Sequence, residues 1–353
     1  MLNHALEIIA AGRDLARAEA EAAMEEVLSG RASHDEIVAL LSGLQAKSET
    51  VDELVAFASV MRRHAPAIFP EPSVDAGEAL VDTCGTGGDA SGTFNVSTVV
   101  AFVVSGASVR VAKHGNRSIS SRCGSADVLE ELGVEIDLPA ESIRRSIETV
   151  GIGFLFAPAI HTATRHATEA RRELKKRTVF NLLGPLTNPA RASAQVVGVY
   201  ESAVAEPMAR ALGELGVRRA FVVHGADGLD EISLSGETYV SELREGAVRS
   251  YRVSPEDFGL PRWPLEAIRG GDATKNAEIV HGVLGSSPSC APHRAIVLAN
   301  AAAALVAAEQ ARDFHEGVRR ASESIDSGAA RQRLDRLVAF SQAEKERLGQ
   351  ARG

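Results

Sequence analysis

The chain has 353 residues, 45% of them hydrophobic, and a net charge of -9 from 38 Lys and Arg against 47 Asp and Glu. That is enough apolar material for a large core, and the acidic balance argues against a nucleic-acid footprint, which needs a basic face. Cys84, Cys123 and Cys290 lie far apart with no CxxC spacing, so neither a zinc site nor a disulfide framework is suggested and a reducing cytosol fits.

The N-terminus lacks a signal-like apolar core, and no uncharged apolar run of roughly 18 residues occurs. The alanine-rich run from Ala295 to Ala308 is the nearest candidate and reads as too short, so a soluble, cytoplasmic protein is expected. In chain order, the first stretch reads as helices only. Leu6, Ile9, Leu15, Met24, Val27 and Leu28 fall at helical intervals until Ser29-Gly30. Ser33 with Glu36, and Thr50 with Glu53, form two capping boxes ahead of the apolar sets Ile37, Leu40, Leu41, Leu44 and Leu54, Phe57, Val60, Met61. The prolines between Pro66 and Pro72 break the pattern and serve as a link. Residues 1–70 are therefore expected to form a small helical domain, joined by helices from about 161–190, and residues 71–353 a large α/β domain.

From Ala79, short apolar runs alternate with helical ones, the pattern of a mainly parallel central sheet flanked by helices. Strands are expected at Leu80–Thr83, Val109–Ala112, Val134–Asp137, Phe154–Phe156, Gln195–Tyr200 and Ala220–Val223. Helices are expected from Asn95, from Ser125, over Ala140–Val150 and over Ala203–Leu215. The segment from His161 to Pro189 is helix-like and polar before its Gly-Pro and Asn-Pro breaks. Hairpin-like runs follow around Thr238 and Val248, then helices from Asn276 to Leu284 and Ala291 to Ala308.

The chemistry concentrates between Asp82 and Asp127. The cluster Gly85-Thr86-Gly87-Gly88-Asp89 follows a strand directly, and its glycines let several N–H groups turn toward one point, a nest for phosphate. Asn95 stands at a helix-cap position, so the run after it is expected to present free N–H groups and a positive dipole end to the same place. The next strand delivers Lys113 and Arg117 beside the hydroxyls of Ser118, Ser120, Ser121 and Ser125. In such sheets ligands bind at the carboxyl ends of strands, so the two loops are expected to face one crevice. His161, His166, His224 and His281 read as capping or packing residues, and Asn300 as an internal hydrogen-bond anchor.

Five motifs in order, Gly85-Thr-Gly-Gly-Asp89, Asn95-Val-Ser-Thr98, Lys113-His-Gly-Asn-Arg117, Asn181 to Pro189 and Asp227-Gly-Leu-Asp-Glu-Ile232, resemble the anthranilate phosphoribosyltransferase family over roughly residues 80–305. The resemblance implies a small helical domain with a large α/β domain, a homodimer, and magnesium as cofactor. It implies that Gly85, Gly88, Asp89, Thr93, Asn95, Val96, Ser97 and Thr98 surround the diphosphate and ribose of phosphoribosyl diphosphate. Lys113, His114, Gly115, Asn116, Arg117, Ser118, Ile119, Ser120, Ser121 and Ser125 would close over the phosphoribosyl group. Magnesium falls to Ser97, Asp230 and Glu231, and anthranilate to Gly85, Asn116 and Arg171. No protein nucleophile is implied; Lys113, His114 and Arg171 would position the reactants. Cys123 replaces the family's small hydroxyl residue, and Thr162 and Thr164 replace Pro and Met near the acceptor entrance. A nucleoside phosphorylase of the same fold is the rival enzyme, and a nucleic-acid-binding relative the rival of another class; the acidic charge speaks against the second.

Overall fold

The structure is a computed structural model that describes residues 2–69, 78–89, 91–118 and 122–350. Four helices open the chain: α1 (Leu2–Ala10), α2 (Arg17–Leu28), α3 (His34–Lys47) and α4 (Val51–His64). Both capping boxes form. Ser33 and Thr50 side chains accept the N–H groups of Glu36 and Glu53, whose carboxylates return to the cap backbone. Part of the proline link, from Pro70 onward, lies outside the described residues.

The central sheet is built from β1 (Leu80–Gly85), β2 (Arg110–Gly115), β3 (Ile152–Phe156), β4 (Ala194–Gly198), β5 (Arg219–Gly225), β6 (Thr238–Arg244) and β7 (Ala247–Val253). Its order is β3-β2-β1-β4-β5-β6-β7, with the first five strands parallel and the last two an antiparallel hairpin at one edge. Between the strands run α5 (Val96–Gly106), α6 (Ser125–Glu131), α7 (Ala140–Val150), α8 (Ala157–Ile160), α9 (Thr168–Leu174), α10 (Val179–Leu186) and α11 (Ala205–Glu214). Four helices complete the chain: α12 (Ala273–Leu284), α13 (Ala291–Ala307), α14 (Phe314–Asp326) and α15 (Ala329–Gln350).

The five parallel strands are largely buried on both faces, as they must be when helices cover each side, while the edge strand β7 is mostly exposed. Alternate residues serve alternate layers. Val81, Val111, Val196, Phe221 and Val223 join the core made with α5, α13, α14 and α15. On the opposite face Val197, Val199, Ala220 and Val222 pack with α11 and with residues of α1 to α4 and α10, while Leu80, Ala112 and Leu155 meet Ile143 and Ile147 of α7. Ala167, Ala170, Phe180, Leu183 and Leu186 lie in the same apolar cluster as the N-terminal helices. Arg62 bolts these pieces together, donating to Leu186 O at 2.9 Å and to Leu215 O at 2.8 Å.

Two expectations are corrected. Val134–Asp137 is no strand: Val134 and Ile136 are buried against the core, but the Val134 N–H goes back to Leu129 O and the Glu135 N–H to Ser341 Oγ of α15 at 3.0 Å. Its alternation reflects packing beneath α15, with no neighbouring strand to pair. The alanine-rich region extends further than its alanines suggest. The segment Pro288–Ala307 is long and apolar enough to cross a membrane by length and composition, yet 72% of its most apolar 18-residue stretch is buried, packed on α5, α14, β4 and β5. It is the central helix of the larger core.

Candidate active site

The chain runs β1, β2, β3 outward in one direction and then returns to place β4 on the other side of β1. Strand order therefore reverses between β1 and β4, the position outside whose carboxyl ends open parallel sheets take their ligands. Gly85 pairs with Gly198 across that boundary, and neighbouring β2 also ends on a glycine, Gly115. The absent side chains are needed. A Cβ at Gly198 would lie 1.5 Å from the Asp230 carbonyl oxygen, one at Gly85 2.8 Å from Asp230 Oδ2, and one at Gly115 2.3 Å from Ser125 Oγ.

The glycine loop beyond β1 turns through Gly87 at φ 64° and Gly88 at φ 82°, a left-handed pair that glycine adopts without penalty. Gly87 donates its N–H to Asp230 Oδ2 at 3.1 Å, and Thr86 ties the loop to β4 by donating to Gly198 O at 2.9 Å. Thr93 forms an isolated bridge with Arg269, and its hydroxyl lies 3.1 Å from Ser91 Oγ.

Three carboxylates meet here. Burial raises the Asp230 carboxyl well above its usual range, and the Asp89 charge with a hydrogen bond to it adds to the rise. Glu231 is raised as well, first by burial and then by Asp230, against the opposing charge of Lys113. Like charges in a poorly solvated mouth explain both shifts. One oxygen of Asp89 is buried with no hydrogen-bond partner among the described residues. Uncompensated hard oxygens of this kind suit a divalent cation such as magnesium. Among the described residues no group of three or more His, Cys, Asp or Glu forms a ready-made cage, so the remaining ligands would be substrate oxygens and water.

Lys113 is 3% exposed; its Nζ donates to Thr83 O at 2.6 Å and Ser97 Oγ at 3.2 Å. Desolvation lowers its pKa, opposed by Asp82, Cys84 and Glu231. The charge thus lies beneath the start of α5, behind Ser97. The free helix start expected after Asn95 is taken up. Asn95 makes no side-chain cap; its carbonyl accepts from Thr98 and Val99, and the Ser97 backbone opposes the rise of the nearby Glu231 carboxyl. Glu231 therefore sits where an anion would, at the positive end of the helix. Val96 and Thr98 turn inward, 1% and 0% exposed.

Asn95 instead spans the two loops. Its Nδ2 donates to Cys123 O at 3.1 Å and its Oδ1 accepts from Asn276 Nδ2 at 2.9 Å. Because the backbone carbonyl of residue 123 is the acceptor, a cysteine there keeps the contact that a hydroxyl residue would make. On the β2 loop, Ser125 Oγ accepts the Asn116 N–H at 3.1 Å, and Asp127 accepts from Ser118 and Gly124. Arg117 turns toward α6, paired with Asp127 and Glu130 and stacked over Phe156. Ile119, Ser120 and Ser121 lie outside the described residues.

On the acceptor side, His114 is fixed through its backbone N–H on Asp82 Oδ1 and through Nδ1 against Gly184 O at 3.0 Å. Asn188 completes the post by donating to Asp82 Oδ2 and to Ala112 O, both at 2.8 Å. His114 Nε2 and both ring nitrogens of His161 are buried without partners among the described residues, the two rings meeting edge to face at 5.1 Å. Burial lowers the His114 pKa and takes His161 down to about 3, so both rings are neutral. Arg171 lies over the Phe180 ring at 5.1 Å, and burial lowers its pKa. Thr164 hydrogen-bonds His161 O at 2.7 Å, a local turn contact. Asn300 anchors the acidic loop, accepting the Ile232 N–H at 2.9 Å and donating to Ile232 O at 3.2 Å.

Glycosyl transferase family models match the chain twice, a helical bundle domain over residues 3–65 and an α/β domain over residues 77–331. The anthranilate phosphoribosyltransferase of Symbiobacterium thermophilum is 54% identical over 333 residues, covering 94% of this chain and 96% of its own. That of Citrifermentans bemidjiense is 49% identical over 350 residues, or 97% and 99% of the two chains. Among solved structures, anthranilate phosphoribosyltransferase from Thermus thermophilus superposes with a TM-score of 0.88 at 41% identity, over 96% of this chain and 99% of that one. The Saccharomyces cerevisiae enzyme in complex with PRPP and Mg superposes with a TM-score of 0.86 at 26% identity, over 97% and 98%.

Proposed function

The chain belongs to the anthranilate phosphoribosyltransferases, and from that premise we propose how its crevice carries out the transfer. The reaction moves the phosphoribosyl group of 5-phosphoribosyl 1-diphosphate to the amine of anthranilate, giving N-(5-phosphoribosyl)anthranilate and diphosphate, a step of tryptophan biosynthesis. The aromatic amine is neutral near pH 7, so no strong base is required. The demanding event is departure of diphosphate while C1 gains positive character, and groups placed around the leaving oxygens lower that barrier most.

In this reading Gly85, Gly88, Asp89, Thr93 and the Asn95–Thr98 turn surround diphosphate and ribose, offering loop N–H groups and the Ser97 hydroxyl. Lys113, His114, Gly115, Asn116, Arg117, Ser118 and Ser125, with Ile119, Ser120 and Ser121, receive the phosphoribosyl group. Lys113 acts from beneath, orienting Ser97 and countering Glu231. Arg117 is held by surface ion pairs of small worth, which a phosphate can replace. Ser97, Asp230 and Glu231 would hold magnesium, which supplies charge neutralisation to the leaving diphosphate when bound. With Glu231 engaged by the metal, the N-terminus of α5 would remain to face phosphate.

Arg171 takes the anthranilate carboxylate, with Gly85 and Asn116 alongside. The neutral His114 ring, fixed by Gly184 and Asp82, forms a rigid wall beside the aromatic acceptor. Holding the amine in line with C1 supplies much of the remaining acceleration. The observation that carries this reading is the meeting of the glycine loop and Asp230 at the strand-order reversal, through the Gly87 to Asp230 bond. Loss of anthranilate fluorescence, dependent on both phosphoribosyl diphosphate and magnesium, tests it. The proposal extends to a cytoplasmic homodimer whose helical domain, residues 1–70, is completed by helices from about 161–190, and whose α/β domain occupies 71–353. The shared apolar cluster of α1 to α4 with α10 supports that division.

A further inference from the structure

Lys175 closes α9 in the left-handed region at φ 50°, and Thr178 opens α10 by donating its N–H to Asn181 Oδ1 at 3.1 Å. Arg177 therefore leaves a short connection fixed at both ends. Its side chain crosses to the glycine loop, where the guanidinium donates to Gly88 O and lies 4.3 Å over the centre of the Tyr200 ring. Tyr200 is tied to the same loop, its backbone N–H donating to Thr86 Oγ1 at 3.1 Å. Stacking on an aromatic face preorganises a guanidinium, so little freedom is lost when it makes its hydrogen bond. A Cβ at Gly88 would lie 3.2 Å from Arg177 Nε, which places the arm flat against the loop.

We propose that Arg177 is a positioning residue for the phosphoribosyl diphosphate side of the reaction: from the α9–α10 connection it clasps the Gly88 carbonyl, and Tyr200 keeps its guanidinium there. The clasp fixes the Gly87–Gly88 turn and with it the direction of the loop N–H groups that meet diphosphate. A carbonyl held outward by a cation leaves the N–H faces of the turn for the anion. The arm comes from the connection six residues beyond Arg171, so the acceptor side is mechanically joined to the donor loop. This inference rests on the glycine loop being the donor cradle.

The test uses the full-length protein and its variants Arg177→Ala, Arg177→Lys and Tyr200→Leu, with exposed Arg172→Ala as control. Steady-state kinetics is combined with calorimetric titration of phosphoribosyl diphosphate in the presence of magnesium. Arg177→Ala is expected to raise the KM and Kd for phosphoribosyl diphosphate about tenfold, the size expected for losing one charge-assisted hydrogen bond. The KM for anthranilate stays within about twofold, because its partner Arg171 is untouched. Arg177→Lys recovers part of the loss, Tyr200→Leu reproduces part of it, and Arg172→Ala changes nothing. An unchanged donor Kd in a folded Arg177→Ala protein overturns the clasp, as does an equal rise in both KM values. Failure of the wild-type protein to bind phosphoribosyl diphosphate overturns the cradle itself, a result that the titration separates from the other two.

Discussion

Asp230 holds Gly87 across the strand-order reversal: its Oδ2 accepts the glycine N–H at 3.1 Å, so a candidate metal ligand and the phosphate loop share one bond. The approach is possible because Gly85 and Gly198 present no side chain to the acidic loop. Asn300, 68 residues further along the chain from Ile232, fixes that loop from below. In the proposed reading, metal site and phosphate site are thereby one rigid object rather than two.

The Gly198→Ala substitution tests this closeness. A Cβ there would overlap the Asp230 carbonyl, with only backbone to yield, and the expected cost is about 2 kcal/mol or more. Urea denaturation should show it, with activity falling as well. Gly184→Ala is the comparison: nothing lies within 4 Å of the added methyl, so stability should hold or rise by up to about 1 kcal/mol.

Replacing both carboxylates, Asp230→Asn with Glu231→Gln, removes like charges that burial makes costly. Without metal the double variant should melt at the wild-type temperature or above it. Turnover should fall by at least a hundredfold, roughly the scale of losing one preorganised electrostatic contact, and magnesium should no longer raise the melting temperature. Undiminished magnesium dependence would reject the pair as ligands.

Much of this was legible in the residues themselves. The capping boxes at Ser33 and Thr50 are local chemistry, and they form as read. The glycine loop after β1 follows from its sequence pattern, whereas the reversal between β1 and β4 shows only in the strand order of the fold. What escaped depends on distant partners. Asn276 grips Asn95 across 181 residues, and nothing near it in the chain marks it. Arg177 stands among Arg172, Lys175 and Lys176, which are exposed, so its crossing to Gly88 was hidden in a run of surface charge. The apparent strand at Val134–Asp137 shows the converse error: alternation records one buried side, whatever buries it.

Arg171→Ala should raise the KM for anthranilate by about tenfold or more, the worth of a charge-assisted bond to a carboxylate. The KM for phosphoribosyl diphosphate should move far less. Arg171 rests on Phe180, so a modest loss of stability is expected and should be measured separately. An equal rise in both constants would argue against a carboxylate partner.

His161 makes stability depend on pH. Its folded pKa, about 3, lies below the ordinary 6.5, so between those values the unfolded chain binds the extra proton. Stability is full above pH 6.5 and falls as the pH drops toward 3, by at most about 1.4 kcal/mol per unit from this group. His161→Phe keeps a flat ring where both nitrogens lack partners. Its urea midpoint should fall less steeply than the wild type's between pH 6.5 and 4.5.

The most direct measurement follows anthranilate fluorescence on adding phosphoribosyl diphosphate, with and without magnesium, to the wild-type protein and to Asp230→Asn with Glu231→Gln. The signal should decay only when wild-type protein, donor and magnesium are all present, and should barely move with the double variant. Equal decay in wild type and variant would contradict the joined metal and phosphate site on which the account stands.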